Sequence, residues 1–219
     1  MVKKKNSVVR KPARSDEDKR ELYEEIIRLG AEMFASEQGF STRKLATKLN
    51  MTQGNLYNYV KSKRELWIAI RKHDFEMLKS KFSSLMKSHS GNHIDLIEKL
   101  ALLFIDYSSD NPNSWKMMFL IDPPKSKAPG PIEENYEPVQ LFDVILDLFN
   151  SGVKKGEIRP ISPLIIYSLV VGAVLTETDI MISERNKVNE LVSDSSLHNM
   201  DIKNFRASLM DTIRYLLTP

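Results

Sequence analysis

Residues 39–66 read GFSTRKLATKLNMTQGNLYNYVKSKREL, and the fold turns on this stretch. Ser41 is placed to cap a helix whose inward face is Leu45, Ala46 and Leu49. Asn50 and Met51 form a break. Thr52 can cap a second helix that runs through Leu56 to about Tyr59. Ser62, with Glu65 three residues on, reads as a capping box opening a third. Two short helices joined by a tight break describe a helix-turn-helix. Isolated helices below ~12–15 residues are marginal in water, so both must pack on the longer helices before and after them.

The second helix turns few residues inward: Leu56, with Met51 and Val60 at its ends. Its other face offers Gln53, Asn55, Tyr57, Asn58 and Tyr59. Gln and Asn side chains can bond an adenine edge bidentately, and flat or small groups can touch a thymine methyl. Gly54 lets the backbone come close. Thr42 and Arg43 ahead, and Tyr59, Lys61 and Lys63 behind, are candidate phosphate ligands. A base-reading centre with a phosphate-gripping rim is what a duplex interface requires. A merely solvated polar helix is the other reading of this pattern.

Outward from this stretch, every element reads as helix. Ser15 and Asp18 form a capping box with Asp in place of the usual Glu, and Leu22, Ile26, Leu29 and Met33 follow at helical spacing up to Gly39. After the helix opened at Ser62, periodic apolar residues predict helices over 93–107, 113–121, 133–151, 163–182 and 202–217. Gly152 is expected to end the fourth of these six, counting the Ser62 helix. Residues 122–131, with four prolines and a glycine, read as a loop, and 184–201 as a polar loop with one weak helical turn. No period-2 alternation is long enough for a strand. The expected class is all-α, divided into a flexible basic arm (1–14), a helix-turn-helix domain (15–61) and a helical C-terminal domain (62–219).

Charge supports that division. Residues 1–72 hold 17 Lys and Arg against 9 Asp and Glu, a net of +8, while 73–219 hold 15 against 20, a net of −5. One end is built to meet a polyanion, with nucleic acid the first candidate and an anionic membrane surface the second. The 219 residues include no cysteine, which removes disulfide scaffolds, thiolate metal sites and cysteine nucleophiles together. No apolar run reaches the ~20 residues of a membrane span, and the basic N-terminus lacks the apolar segment of a secretory signal, so a soluble cytoplasmic protein is expected. His73, His89, His93 and His198 form no metal or triad pattern, and no P-loop, HExxH or GxSxG occurs. Neither catalysis, a metal nor a cofactor is expected.

The run Gly39–Ala46, the segment Leu56-Tyr57-x-Tyr59-Val60 and Lys61-Ser62-Lys63-Arg64-Glu65-Leu66 closely resemble the DNA-binding domain of the tetracycline-repressor (TetR) family of bacterial transcriptional regulators. The resemblance is dense over about 30 residues and covers roughly 16–70. It implies a homodimer whose third helices enter successive major grooves of a palindromic operator, with 62–219 as a helical effector-binding and dimerisation domain. Carried over by position, Arg43, Gln53, Gly54, Asn55, Tyr57, Asn58, Tyr59 and Lys63 sit where the family touches DNA. Gly54-Asn55 stand where the tetracycline repressor itself has Pro-Thr, and Asn58-Tyr59 where it has Trp-His, so no operator sequence carries over. The basic arm can add phosphate or minor-groove contacts.

In the C-terminal half, Leu164 to Leu175 is apolar nearly all round, as for a helix buried on two sides. Tyr167, Val171 and Val174, with Phe205, Leu209, Ile213 and Leu216 of the last helix, are the candidate dimer face; a monomeric core is the alternative. Phe104, Tyr107, Trp115, Met118, Phe119 and Phe142 are candidate walls of a largely apolar effector pocket, or else simply core. Glu177 and Asp179 can pair a cationic effector or lie solvated at a helix end. The function expected is a repressor released from its operator by a small molecule. The alternative is an architectural or cell-cycle DNA-binding protein on the same fold with no effector.

Overall fold

The computed structural model describes residues 15–36, 39–185 and 201–219, with 179–185 described by backbone alone. The basic arm 1–14, His198, most of the polar stretch 184–201 and the side chain of Asp179 lie outside the described residues. Ten helices and no strand occur among the described residues. They are α1 (Asp16–Ala35), α2 (Thr42–Lys48), α3 (Gln53–Leu56), α4 (Lys63–Ser88), α5 (His93–Asp110), α6 (Pro112–Phe119), α7 (Pro131–Glu134), α8 (Leu141–Lys154), α9 (Pro163–Arg185) and α10 (Ile202–Leu217). No described helix is long and apolar enough to cross a membrane.

Local chemistry explains most boundaries. The Ser15 hydroxyl accepts from the Asp18 amide at 3.0 Å and the Asp18 carboxylate accepts from the Ser15 amide at 3.1 Å, the reciprocal box expected. Asn92 and Asp201 cap α5 and α10 in the same N-terminal role. Three ends differ from the sequence reading. α1 stops at Ala35, with Ser36 already extended, and Gly39 takes its left-handed φ of +71° in the connection instead of at the helix end. The helix expected over 133–151 is two, because Pro138 disfavours helix at Glu137 and has no amide to donate. Gly152 does not end α8; a Cβ there would run into the Ile158 side chain, so it marks a close approach, and the left-handed residue is Gly156 at φ +70°.

The chain packs as two compact units, one formed by the part up to Met77 with Pro112–Val139, the other by Leu78–Asn111 with Gln140–Pro219. This grouping differs from a split at residue 61: α4 begins in the first unit and ends in the second, and α6 and α7 belong with the N-terminal helices. In the first unit, Leu22, Ile26, Ile27, Leu45, Leu49, Leu56, Leu66, Ile70 and Met117 share one core. A Cβ on Gly30 would sit 2.9 Å from Ile70 Cδ1, so α1 packs closely on the Ile70 and Leu66 side chains of α4 and an added methyl would require Ile70 to shift. In the second unit α5 packs against α8, α9 and α10. Arg206 of α10 grips Glu177 of α9 through two bonds of 2.7 Å and Asp106 of α5 through one of 2.6 Å.

Candidate nucleic-acid interface

The site grows from two short helices that cannot fold alone. Ser41 caps α2 by accepting from the Lys44 amide, and Thr52 caps α3 by accepting from the Asn55 amide at 3.1 Å. Between them Asn50 adopts φ +53°, the tight break expected at Asn50–Met51. Leu45, Ala46, Leu49, Met51, Leu56 and Val60 are buried and anchor the pair to the first unit's core. The alternation of buried and exposed positions then leaves one face outward. Arg43, Gln53, Gly54, Asn58, Lys61 and Lys63 are exposed, and Thr42, Asn55, Tyr57 and Tyr59 half-buried. All ten expected contact residues are therefore brought together on, or at the rim of, one small element pair.

Their internal bonds show how each is held. The Gln53 amide nitrogen donates to the Thr42 hydroxyl at 3.1 Å and to the Tyr57 hydroxyl at 3.0 Å. Asn58 donates to the Asn55 carbonyl oxygen at 3.4 Å. A Cβ on Gly54 would meet only Thr52 Oγ1, at 3.9 Å, so that side of its backbone is open. Tyr59 rests partly on the core. Lys61 turns back and donates to the Tyr57 carbonyl at 2.8 Å, closing the helix end. Lys63 projects over two stacked rings: Phe34 and Phe40 lie 4.1 Å apart and nearly parallel, and the ammonium sits 5.5 and 5.3 Å from their centroids. That cation–π seat positions the charge without neutralising it.

Sequence reading missed what stands behind this face. Glu65 caps the start of α4 only in part: its amide donates to Ser62 Oγ at 3.1 Å, but its carboxylate goes elsewhere. It accepts from the Lys61 amide at 2.6 Å and from the Ile132 amide at 2.7 Å, and the residue is only 1% exposed. Arg64 donates to Glu133 at 2.6 Å, Trp67 to the Ile121 carbonyl at 3.1 Å, and Arg71 to the Met118 carbonyl at 3.1 Å. Four side chains in the first turns of α4 thus fasten the segment 118–133 to the helix that follows the helix-turn-helix. The Ser62-x-x-Glu65 spacing flagged the residue but could not reveal its distant partner.

The other expected sites are distributed differently. Phe104, Tyr107 and Phe142 belong to the second unit, and Trp115, Met118 and Phe119 to the first. Trp115 and Met118 are buried, and the Trp115 and Phe119 rings pack 4.3 Å apart. Of the six, only Tyr107 lines the groove of about 670 Å³ between the end of α4 and α5, whose walls carry Ser80, Lys81, Ser84, Lys99, Asp106 and Asp110. In the candidate dimer face, Val174, Leu209 and Ile213 are buried within their own protomer, so they form core and cannot meet a partner. Tyr167 is exposed, and Val171, Phe205 and Leu216 are partly so. Leu164, Ile165, Leu175 and Tyr215, unassigned from sequence, join Tyr167 as exposed large apolar residues of α9 and α10. Glu177 is not offered to a ligand, because Arg206 already holds it.

One histidine expectation is also corrected. His93 Nδ1 lies 2.8 Å from Glu157 and Nε2 lies 3.1 Å from Ser151 Oγ, a serine–histidine–carboxylate line. The bond from the His93 backbone amide, together with the ring contact, holds the Glu157 carboxyl below its ordinary pKa. Ser151 sits in the last turn of α8, where unpaired backbone groups are carbonyls, not the amides an oxyanion needs. The line clips α5 to the end of α8. No group of three or more metal-ligating side chains occurs among the described residues.

No family model matches the chain, and no curated protein matches it. Solved structures do. A TetR-family transcriptional regulator from Haemophilus influenzae superposes with a TM-score of 0.60 at 18% identity, covering 92% of this chain and 98% of its own. A regulator of the TetR/AcrR family from Thermobifida fusca gives 0.55 at 15% identity, covering 89% and 97%. The transcriptional regulator FadR from Bacillus subtilis, in complex with stearoyl-CoA, gives 0.58 at 13% identity, covering 89% and 98%. The match runs through nearly the whole of each structure, and the chain has the all-helical fold of the TetR-family transcriptional regulators.

Proposed function

We propose that this chain is a transcriptional regulator that binds duplex DNA through α2 and α3. The observation that carries the reading is the outward cluster of Thr42, Gln53, Asn55, Tyr57 and Asn58, flanked by the exposed cations Arg43 and Lys63 and set on a buried apolar base. Side-chain amides at the centre suit base edges, and cations and hydroxyls at the rim suit phosphates. The protein works as a homodimer through the exposed apolar residues of α9 and α10, because two reading heads at fixed separation recognise a palindrome. A small effector releases it from its operator, which makes it a repressor. For that, the effector must bind the released conformation more tightly than the DNA-bound one.

The buried state of Trp115 and Met118 favours the alternative on one point, since packed residues are not pocket walls. A regulator with no effector would use them as core only. A fatty acyl-CoA, the ligand class named for the Bacillus subtilis neighbour, is the first effector to try. Selection from a random duplex pool tests the main reading. The account expects enrichment of a two-fold symmetric pair of half-sites, and an acyl-CoA that lowers the affinity for them. A pool with no enriched sequence contradicts DNA reading, while enrichment indifferent to effectors supports the second form.

A further inference from the structure

We infer that Gln53 is preset to read its base pair as a hydrogen-bond acceptor only, so that each half-site must offer it an exocyclic amino group, from adenine or cytosine. The inference rests on the DNA-binding reading above and deepens it. A glutamine amide has two N–H donors and one carbonyl oxygen. Both directions of the Gln53 nitrogen are already used within the protein, toward Thr42 Oγ1 at 3.1 Å and Tyr57 Oη at 3.0 Å. The side chain is exposed, and Oε1 is the polar atom left for a ligand.

In the major groove, adenine N6 and cytosine N4 donate, whereas guanine N7 and O6 and thymine O4 accept. A Gln53 turned to donate to guanine or thymine must first abandon a hydroxyl, and a hydrogen bond lost without replacement weighs against binding. The usual bidentate pairing with adenine, in which the glutamine both donates and accepts, is barred for the same reason. The arrangement has a second effect. Because Thr42 and Tyr57 each accept from Gln53, their own hydroxyl protons point to other acceptors, and such chains strengthen each bond in turn. Phosphate oxygens flanking the base are acceptors of the right kind. One amide thereby sets both the base polarity at the centre and two neutral phosphate donors beside it.

The test is selection from a random duplex pool with the full-length wild type, with Thr42→Val combined with Tyr57→Phe, and with Gln53→Glu. The first variant keeps side-chain shape and removes both hydroxyls; Tyr57→Phe alone is the milder form. The wild type is expected to select adenine or cytosine at one position of each half-site. The double variant should lose that preference by about tenfold and admit guanine or thymine, with an unchanged salt slope because no charge is removed. Gln53→Glu retains an acceptor and should keep the preference, moved toward cytosine. A wild-type preference for guanine or thymine there, or a double variant with the wild-type profile, overturns the inference while leaving DNA binding intact. A wild type that enriches nothing overturns the DNA-binding reading itself, and the inference with it.

Discussion

Ile132 donates its backbone N–H to the Glu65 carboxylate at 2.7 Å, across 67 residues of chain. The other oxygen of the same carboxylate holds the Lys61 amide, the last residue before α4's capping serine. One buried side chain therefore fixes the exit of the helix-turn-helix and the start of α7 together. Gly130 is part of the arrangement, since a Cβ there would collide with the Glu65 carboxylate. Replacing Glu65 with Ala should orphan two amides at about 1–3 kcal/mol each, and Glu65→Gln, which keeps one acceptor oxygen, should cost about half as much. Urea denaturation of the three proteins checks this; equal stability of all three would contradict the clamp.

Lys63 and its aromatic seat make a separable pair. Lys63→Ala should weaken binding to all duplexes and reduce the salt slope by about one unit. Phe40→Leu keeps the charge but removes half of the stacked seat, so it should lower affinity by less than Lys63→Ala and leave the slope near wild type. Affinity measured across a salt series distinguishes them. An unchanged slope for Lys63→Ala would remove that residue from the phosphate rim.

The proposed dimer surface is tested by contrast between exposed and buried positions on one helix. Leu175 is 43% exposed and Val174, beside it, 1%. Leu175→Glu should leave the fold intact and convert the dimer to monomer in sedimentation, with loss of affinity for a two-half-site duplex. Val174→Ala should instead lower stability by about 1–3 kcal/mol without changing the oligomeric state. A Leu175→Glu protein that sediments as a dimer would move the interface elsewhere.

Arg206 is the one cation bonded to Glu177 among the described contacts, and Glu177's side chain is 3% exposed. Arg206→Ala should therefore cost about 3–5 kcal/mol, the penalty of a buried charge losing its partner. Restoring neutrality with Glu177→Gln in the same protein should recover part of it. Thermal denaturation of the single and double variants reads the difference, and a loss no smaller in the double variant would contradict the pairing.

His73 gives a pH dependence with a definite sign. Its bond to Asp74 raises the imidazole pKa above the ordinary value, against the opposing effect of burial, and the charges of Asp74, Glu24 and Glu76 add to the rise. A raised histidine pKa stabilises the fold below the unfolded-state value of about 6.5 and loses that stabilisation as pH rises through the folded value. His73→Gln should thus lower the melting temperature most near about pH 5.5 and converge on wild type at about pH 8.5. A deficit that grows with pH would reverse the assignment.

How much of this was legible follows from distance along the chain. Ser41, Asn50, Thr52 and the apolar residues between them act within one or two helical turns, so the paired helices and their outward polar face could be read from residue order. The break at Pro138 is equally local, but apolar periodicity runs across that proline and joins α7 to α8 in the residue pattern. Glu65–Ile132 and Ser151–His93–Glu157 join residues some 60 apart, and no local pattern announces such bonds. The periodicity of α9 showed an apolar helix without showing which side its own subunit covers. Val174 and Leu175 differ by one position and by burial entirely, a distinction that packing decides.

Photo-crosslinking tests the central claim most directly. A photoreactive residue is placed at exposed Asn58 in one protein and at exposed Lys155, in the second unit, in another, each irradiated with the selected duplex. The account expects efficient crosslinking to DNA from position 58 and background from position 155. Background from position 58, or equal yields from both, would show that the outward face of α2 and α3 is not where the duplex lies.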